Sequence, residues 1–304
     1  MVSFAEIITV PVKFVNWFIF VLLCLIWGSS FQLMKWGLYD VNQQPVLSAY
    51  HVAALRMLSS GIIMLPFVFR ALKNLSRDTI WYVLLSGLLG SFFPAFLFCI
   101  AETKIDGALA GSLNALTPLF VIVTSVLFFR IPTTATKIIG VLIGISGCAL
   151  LTYANNVQSF GYIAFIGLVI LATIFYGINV NMVHKKLHGV RSTHIAALAF
   201  TGLIPFSLIV LVATGYFKLP LMESRYAIST LSSCILGMFG TALASILFYM
   251  LVKRGGGLFA SMVTYGIPFV AIGWGIYYHE HITYLHIIAL VIILLGVYIA
   301  NKKK

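Results

Sequence analysis

Gly87-Leu88-Leu89-Gly90 returns 150 residues later as Gly237-Met238-Phe239-Gly240, and this recurrence decides how the chain is organised. The same offset carries Leu97-Phe98 onto Leu247-Phe248, Gly107 onto Gly257, Ala110 onto Ala260 and Pro118 onto Pro268. At an offset of 149, Trp27-Gly28 meets Tyr176-Gly177 and Gln32 meets Asn181. At 143, His51-Val52-Ala53-Ala54-Leu55 meets His194-Ile195-Ala196-Ala197-Leu198. The offset shortens where the loop after the first segment is longer than its counterpart. Each copy holds five apolar segments, an odd number, so the second copy enters a membrane from the opposite side. Inverted repeats with polar positions near the midplane are the architecture of alternating-access carriers.

Composition places the chain in a bilayer. Apolar residues make up 61% of 304 positions and charged residues 9%, too few to solvate a globule of this size. Segments long enough to cross about 30 Å of hydrocarbon fall near 15–34, 48–69, 81–100, 108–129 and 135–153 in the first half. The second half has 160–181, 193–214, 228–252, 257–278 and 283–300. All are expected to be helices, because backbone polar groups in lipid must be satisfied within the segment. Continuous apolar runs without alternation exclude a β-barrel. The expected fold is all-α and integral to the membrane: ten transmembrane helices as two inverted five-helix modules, 1–154 and 155–304. The first segment reads as a span and not a cleavable leader, being too long and lacking a small-residue cleavage site.

Positive charge gives the orientation. With the N-terminus in the cytoplasm, inner segments hold fourteen Lys and Arg residues, among them Arg70, Lys73, Arg77, Lys185, Lys186, Lys253 and Arg254. Outer loops hold four: Lys35, Lys104, Lys218 and Arg225. The positive-inside rule then puts both termini in the cytoplasm of a cell (inner) membrane. The net charge of +12 is a topology signal and an anchor for anionic lipid; with no soluble basic domain, nucleic acid is not an expected partner. Cys24, Cys99, Cys148 and Cys234 fall inside apolar segments without metal spacing and read as small core residues. No cofactor or metal is expected. Gly255-Gly256-Gly257 after Lys253-Arg254 lacks the spacing and ending of a phosphate loop and reads as a tight turn between the eighth and ninth spans. His279-Glu280-His281 sits at a helix-loop-helix junction unsuited to a shared metal.

Trp27-Gly28-Ser29-Ser30-Phe31 in the first span, Arg56 in the second, Pro118 and Pro268 in the fourth and ninth, Glu280 at the ninth span's exit and Gly296 in the last form a pattern. With the five-plus-five duplication, it resembles the EamA family of the drug/metabolite transporter superfamily over essentially the whole chain. The resemblance implies carriage of small metabolites, often amino acids or related compounds and often outward. One departure stands out: a Glu is common at the end of the fourth helix of each module, whereas the first module has Arg130 there.

Pro118 and Pro268 each remove one backbone bond and free the carbonyl four residues earlier, that of Asn114 and of Thr264. Broken helices facing a central site and kinks that shape packing are the two readings; the coincidence of both freed carbonyls with polar side chains points to the first. Gly28 with Gln32, and Gly177 with Asn181, share a helix face. They fit a substrate contact, with Trp27 and Tyr176 as aromatic walls, or polar glue between helices. Arg56 is the one charge near the middle of a span, where an unpaired charge costs about 2.5–3.5 kcal/mol on insertion scales. It holds either a substrate carboxylate or a helix end. Gly140 and Gly144 permit close helix contact, within the bundle or against a second protomer. The acids all map to loops or helix ends, so carboxylate-based proton coupling is not expected.

The expected function is secondary transport of a small polar organic metabolite, an amino acid or similar compound, by a monomer or homodimer in the lipid bilayer. The alternative from another class is a membrane enzyme acting on lipid, for which no acid, nucleophile or metal constellation is present.

Overall fold

The computed structural model describes residues 12–73, 75–130, 134–154, 160–280 and 282–301. Glu6, His281 and Lys302 to Lys304 lie outside these, and the expected module boundary borders the undescribed 155–159. The helices are α1 (Val12–Leu38), α2 (Ala49–Lys73), α3 (Arg77–Ala101), α4 (Gly107–Asn114 and Thr117–Phe129), α5 (Ala135–Ala154), α6 (Phe160–Lys186) and α7 (Ser192–Ala213). They continue with α8 (Ser224–Ile235, Leu236–Leu243 and Ala244–Ser261), α9 (Val263–Tyr277) and α10 (Tyr284–Asn301). Among the described residues, strand pairing is limited to an isolated bridge between Tyr39 and Pro45.

Both copies of the repeated glycine motif widen into π-helix, over Leu88–Phe92 in α3 and Leu236–Leu243 in α8. Such segments concentrate at functional sites. The four glycines do matched work. A Cβ on Gly87 would press on Ala199 of α7, and one on Gly237 would overlap the Arg56 carbonyl of α2; Ala199 is the repeat mate of Arg56. A Cβ on Gly90 would occupy the place of the Asn179 amide, and one on Gly240 would crowd the Ser30 hydroxyl. Asn179 and Ser30 are again mates.

The halves interlock. The stretches repeated at an offset of 143 are where α2 meets α7, with Val52, Ala53, Ala54, Ile195, Ala196 and Ala197 all wholly buried. α1 packs on α8 and α9 of the second half, and α6 packs on α3 and α4 of the first. Gly28 gives α1 room against Val270 and the Ile267 carbonyl, as Gly177 gives α6 room against the Phe120 carbonyl. α5 and α10 pair through Gly140, Gly144, Gly147 and Gly296. The small-residue pair Gly140/Gly144 therefore serves contact inside the bundle.

Two expectations are corrected. Gly255–Gly257 form no turn: α8 continues as helix to Ser261 and the interruption falls at Met262. Each glycine lowers helix stability by about 1 kcal/mol, so the three together cost about 3 kcal/mol, an amount that packing of a long helix can offset. The two prolines also differ. α4 is broken at Ala115-Leu116 and bent by 40°, whereas Pro268 lies inside continuous α9. Thr117 Oγ1 donates to the Asn114 carbonyl at 2.8 Å and to Asn114 Oδ1 at 3.1 Å. That bond satisfies the group freed by the break. The corresponding position in α9 is Ile267, which has no hydroxyl to do so.

Candidate functional site

A cavity of about 100 Å³ lies where α1, α2, α3, α4, α6, α8 and α9 converge. Most of its lining comes in repeat-related pairs: Trp27 with Tyr176, Ser30 with Asn179, Phe31 with Val180, Gly90 with Gly240, Ser91 with Thr241, Phe98 with Phe248, and Asn114 with Thr264. The pseudo-symmetry axis thus runs through the cavity, where transporters built from inverted repeats place their substrates. Met34, Arg56, Thr117, Ser245 and Tyr249 complete the wall without a lining mate.

Chemically the wall is aromatic and amide-rich around a single charge. Trp27 donates from Nε1 to the Gly240 carbonyl at 3.0 Å, which fixes its ring across the two halves. Tyr176 stacks with Phe98, ring centroids 6.2 Å apart. Ser86 donates to Asn179 Oδ1 at 2.7 Å, which orients that amide above Gly90. Arg56 is 9% exposed; its Nε donates to Thr241 Oγ1 at 2.6 Å, and Nη1 lies 3.9 Å from the Met34 sulfur. A guanidinium has five N–H donors, so these two contacts do not exhaust the capacity of a side chain that lines the cavity. No carboxylate is among the lining residues.

The sequence candidates separate into two groups. Trp27, Arg56, Asn114, Tyr176 and Thr264 line the cavity. Gln32, Pro118, Asn181 and Pro268 are not among its lining residues. Asn181 donates from Nδ2 to the Val121 carbonyl at 2.8 Å, to Thr124 Oγ1 at 3.0 Å and to the Gly177 carbonyl at 3.0 Å, tying α6 to α4. Gln32 is buried, and Pro118 and Pro268 shape the helices that carry Asn114 and Thr264. Ser30, Asn179 and Tyr249 also line the cavity, Ser30 from within the Trp27–Phe31 motif and the other two from outside any candidate pattern. The first two were available from the 149 offset, since Ser30 follows Trp27 by three residues on the same helix face. His51 takes no part: its Nε2 sits 3.2 Å from the Thr214 carbonyl and its ring meets Tyr216 edge-on.

One link joins the halves beyond the cavity. His279 takes a left-handed conformation (φ 60°) and the Glu280 N–H closes on the Gly275 carbonyl at 2.8 Å, a Schellman-type ending for α9. The turn aims the Glu280 carboxylate at the start of α4. Oε1 accepts the Gly107 N–H at 3.2 Å and Oε2 accepts the Ala108 N–H at 3.1 Å. This cap satisfies two orphan donors of a helix N-terminus with a charge of the favourable sign. Its repeat mate Arg130 is exposed and cannot accept a hydrogen bond.

The EamA-like transporter family model matches residues 16–153 and 163–302. An uncharacterized transporter of Acidianus ambivalens is 33% identical over 158 residues, a match that spans 51% of this chain and 58% of that protein. An uncharacterized transporter of Archaeoglobus fulgidus is 22% identical over 95% of this chain and 99% of its own. Protein PagO of Salmonella typhimurium is 23% identical over 92% and 91%. One solved crystal structure superposes with a TM-score of 0.62 at 15% identity, covering 94% of this chain and 97% of that one, which bears on the fold alone. With both halves of its chain matched, this multi-pass membrane protein belongs to the EamA-like transporter family, in the drug/metabolite transporter superfamily.

Proposed function

We propose that the protein is a secondary carrier of small organic metabolites bearing a carboxylate, amino acids and related compounds being the class, and that it works by alternating access. The observation that carries this reading is the lone guanidinium of Arg56 in a cavity walled by aromatic rings, amides and hydroxyls and free of acidic lining residues. A bidentate match between guanidinium and carboxylate fixes one end of a substrate. Trp27, Tyr176 and Phe98 enclose its apolar body, and Asn114 and Asn179 offer both a donor and an acceptor to a second polar group. The seven symmetric pairs support rocking of the two halves about a fixed site. The orientation proposed is with both termini in the cytoplasm of a cell inner membrane.

A flux assay tests the reading. Purified protein in proteoliposomes is preloaded with a mixed pool of labelled metabolites of anionic, zwitterionic and cationic character. Carriage predicts exchange of carboxylate-bearing members, with competition among them. Retention of the whole pool, or exchange confined to cations, would overturn it.

A further inference from the structure

Glu102 immediately follows the last residue of α3, in the loop 102–106 that leads into α4. One turn earlier on the same helix, Phe98 lines the cavity. Sequence position alone places this acid at a solvated helix end, yet Glu102 is 0% exposed and neither carboxylate oxygen has a hydrogen-bond partner. A bare ionised carboxylate in such a place costs several kcal/mol; a neutral one costs far less.

The loop around it is clamped from both halves. From α1, Lys35 donates its ammonium to the backbone carbonyls of Glu102 and Ile105 at 3.0 and 2.9 Å, and Tyr39, just beyond the end of α1, donates to the Thr103 carbonyl at 3.1 Å. Lys35 forms no ion pair with the Glu102 carboxylate, since the salt bridge found among the described residues is Arg225–Glu223. From the other half, Glu280 holds Gly107 and Ala108, directly after the loop. The remaining charged and titratable neighbours are Arg56 on α2, Cys99 on α3 and Asp106 in the loop itself. Tyr162 of α6 and His286 of α10 face Asp106 in turn. Burial pushes the Glu102 carboxyl well above the usual carboxylate range, against the pull of Lys35 and with the help of Glu280.

We propose that Glu102 is a proton-binding site of the transport cycle, sealed when Glu280 caps α4 and opened to the adjoining solution when that latch parts. In the sealed state the carboxyl is neutral and carries one proton. On opening, the acid gives that proton to water and becomes a carboxylate, its charge balanced by the nearby Lys35 ammonium. On closing, one proton from the same solution returns to the carboxylate before it is buried. Because the proton leaves and returns on one side of the membrane, the pH of that solution would set the balance of open and closed states, and through it the rate of substrate carriage, with no net transfer of protons across the bilayer. The linkage rests on the carrier reading, whereas the proton site does not.

The test uses the purified full-length protein in lipid, with the proton as the probe. Infrared difference spectra through a pH titration should show the carbonyl stretch of a protonated carboxylic acid at neutral pH. The band should vanish in Glu102→Gln and persist at an altered frequency in Glu102→Asp. In Glu280→Ala its titration midpoint should fall by about one unit or more, as the neighbouring negative charge is lost and water reaches the site. Absence of the band from the unmodified protein, or its survival unchanged in Glu102→Gln, would overturn the site. An unaltered midpoint in Glu280→Ala would overturn the latch. Proteoliposomes holding the labelled pool add the linkage: the exchange rate of the unmodified protein should vary with the pH of the solution that bathes the 102–106 loop, and Glu102→Gln should keep exchange and lose that dependence. An unchanged pH dependence of exchange in Glu102→Gln would overturn the linkage. The band behaving as expected without flux of any pool member would refute the carrier reading and support the proton site alone.

Discussion

The side-chain amide of Asn179 occupies the space that a β-carbon at Gly90 would fill. Because the same relation holds between Ser30 and Gly240, the repeated motif seats one polar cavity residue from each half. Gly90→Ala should therefore displace Asn179 and break its bond with Ser86. Overpacking of this kind costs about 1–3 kcal/mol. Exchange should fall several-fold with a lowered Tm, and an unchanged Tm together with full flux would reject the seating role.

Arg56→Lys keeps the charge but loses the planar fork. If a substrate carboxylate meets that fork, half-saturation should rise about 10- to 100-fold, from about 1.5–3 kcal/mol per charged hydrogen bond. Competition by carboxylate-bearing compounds should weaken while competition by amides does not. Equal weakening of both would assign Arg56 to holding Thr241 and the π-helical turn of α8.

Asn181→Leu separates packing from binding. The amide bridges α6 to Val121 and Thr124 of α4 and is absent from the cavity wall. Its loss should cost roughly 0.6–2 kcal/mol, the range for such bonds between membrane helices, seen as a lower Tm with half-saturation within twofold of the original. A large rise in half-saturation at unchanged Tm would return Asn181 to the site.

Glu102 should leave a pH signature in stability. The folded protein raises this carboxyl's proton affinity, first through burial, so folding favours the protonated form. Its contribution is complete below the ordinary carboxylate range and is lost as pH climbs through the raised value. Tm of the unmodified protein should fall over that climb, while Glu102→Gln, a permanently neutral mimic, should stay flatter. Parallel Tm profiles for the two would show that Glu102 is already ionised in the fold.

The helices and the duplication were legible because each rests on local, repeated signals: apolar runs of membrane length and residues matched at fixed offsets. The end of α8 was not, since three glycines read as a turn in isolation while the folded chain keeps them helical. Within the cavity, Trp27, Arg56, Asn114, Tyr176 and Thr264 could be found because kinks, aromatics and a buried charge announce themselves. Gln32 and Asn181 were drawn in by their spacing from Gly28 and Gly177, but those glycines face α9 and α4 instead. Glu102 was illegible for a different reason. Its charged neighbours include Lys35, Arg56 and Glu280, which lie far along the chain, and no pattern near residue 102 encodes that.

A duplicated protein with identical halves would have two end states related by the two-fold axis and equal in free energy, and a rocking carrier would favour neither. The Glu280 cap on α4 removes that degeneracy, because its repeat mate is Arg130 and no carboxylate stands at the corresponding place. One charge-assisted cap of about 1.5–3 kcal/mol corresponds to a population ratio of roughly 10 to 150. In the alternating-access carrier proposed above, the substitution that distinguishes the two copies would set a resting bias, with the end bearing the 102–106 loop shut, and any driving force would act against that tilt.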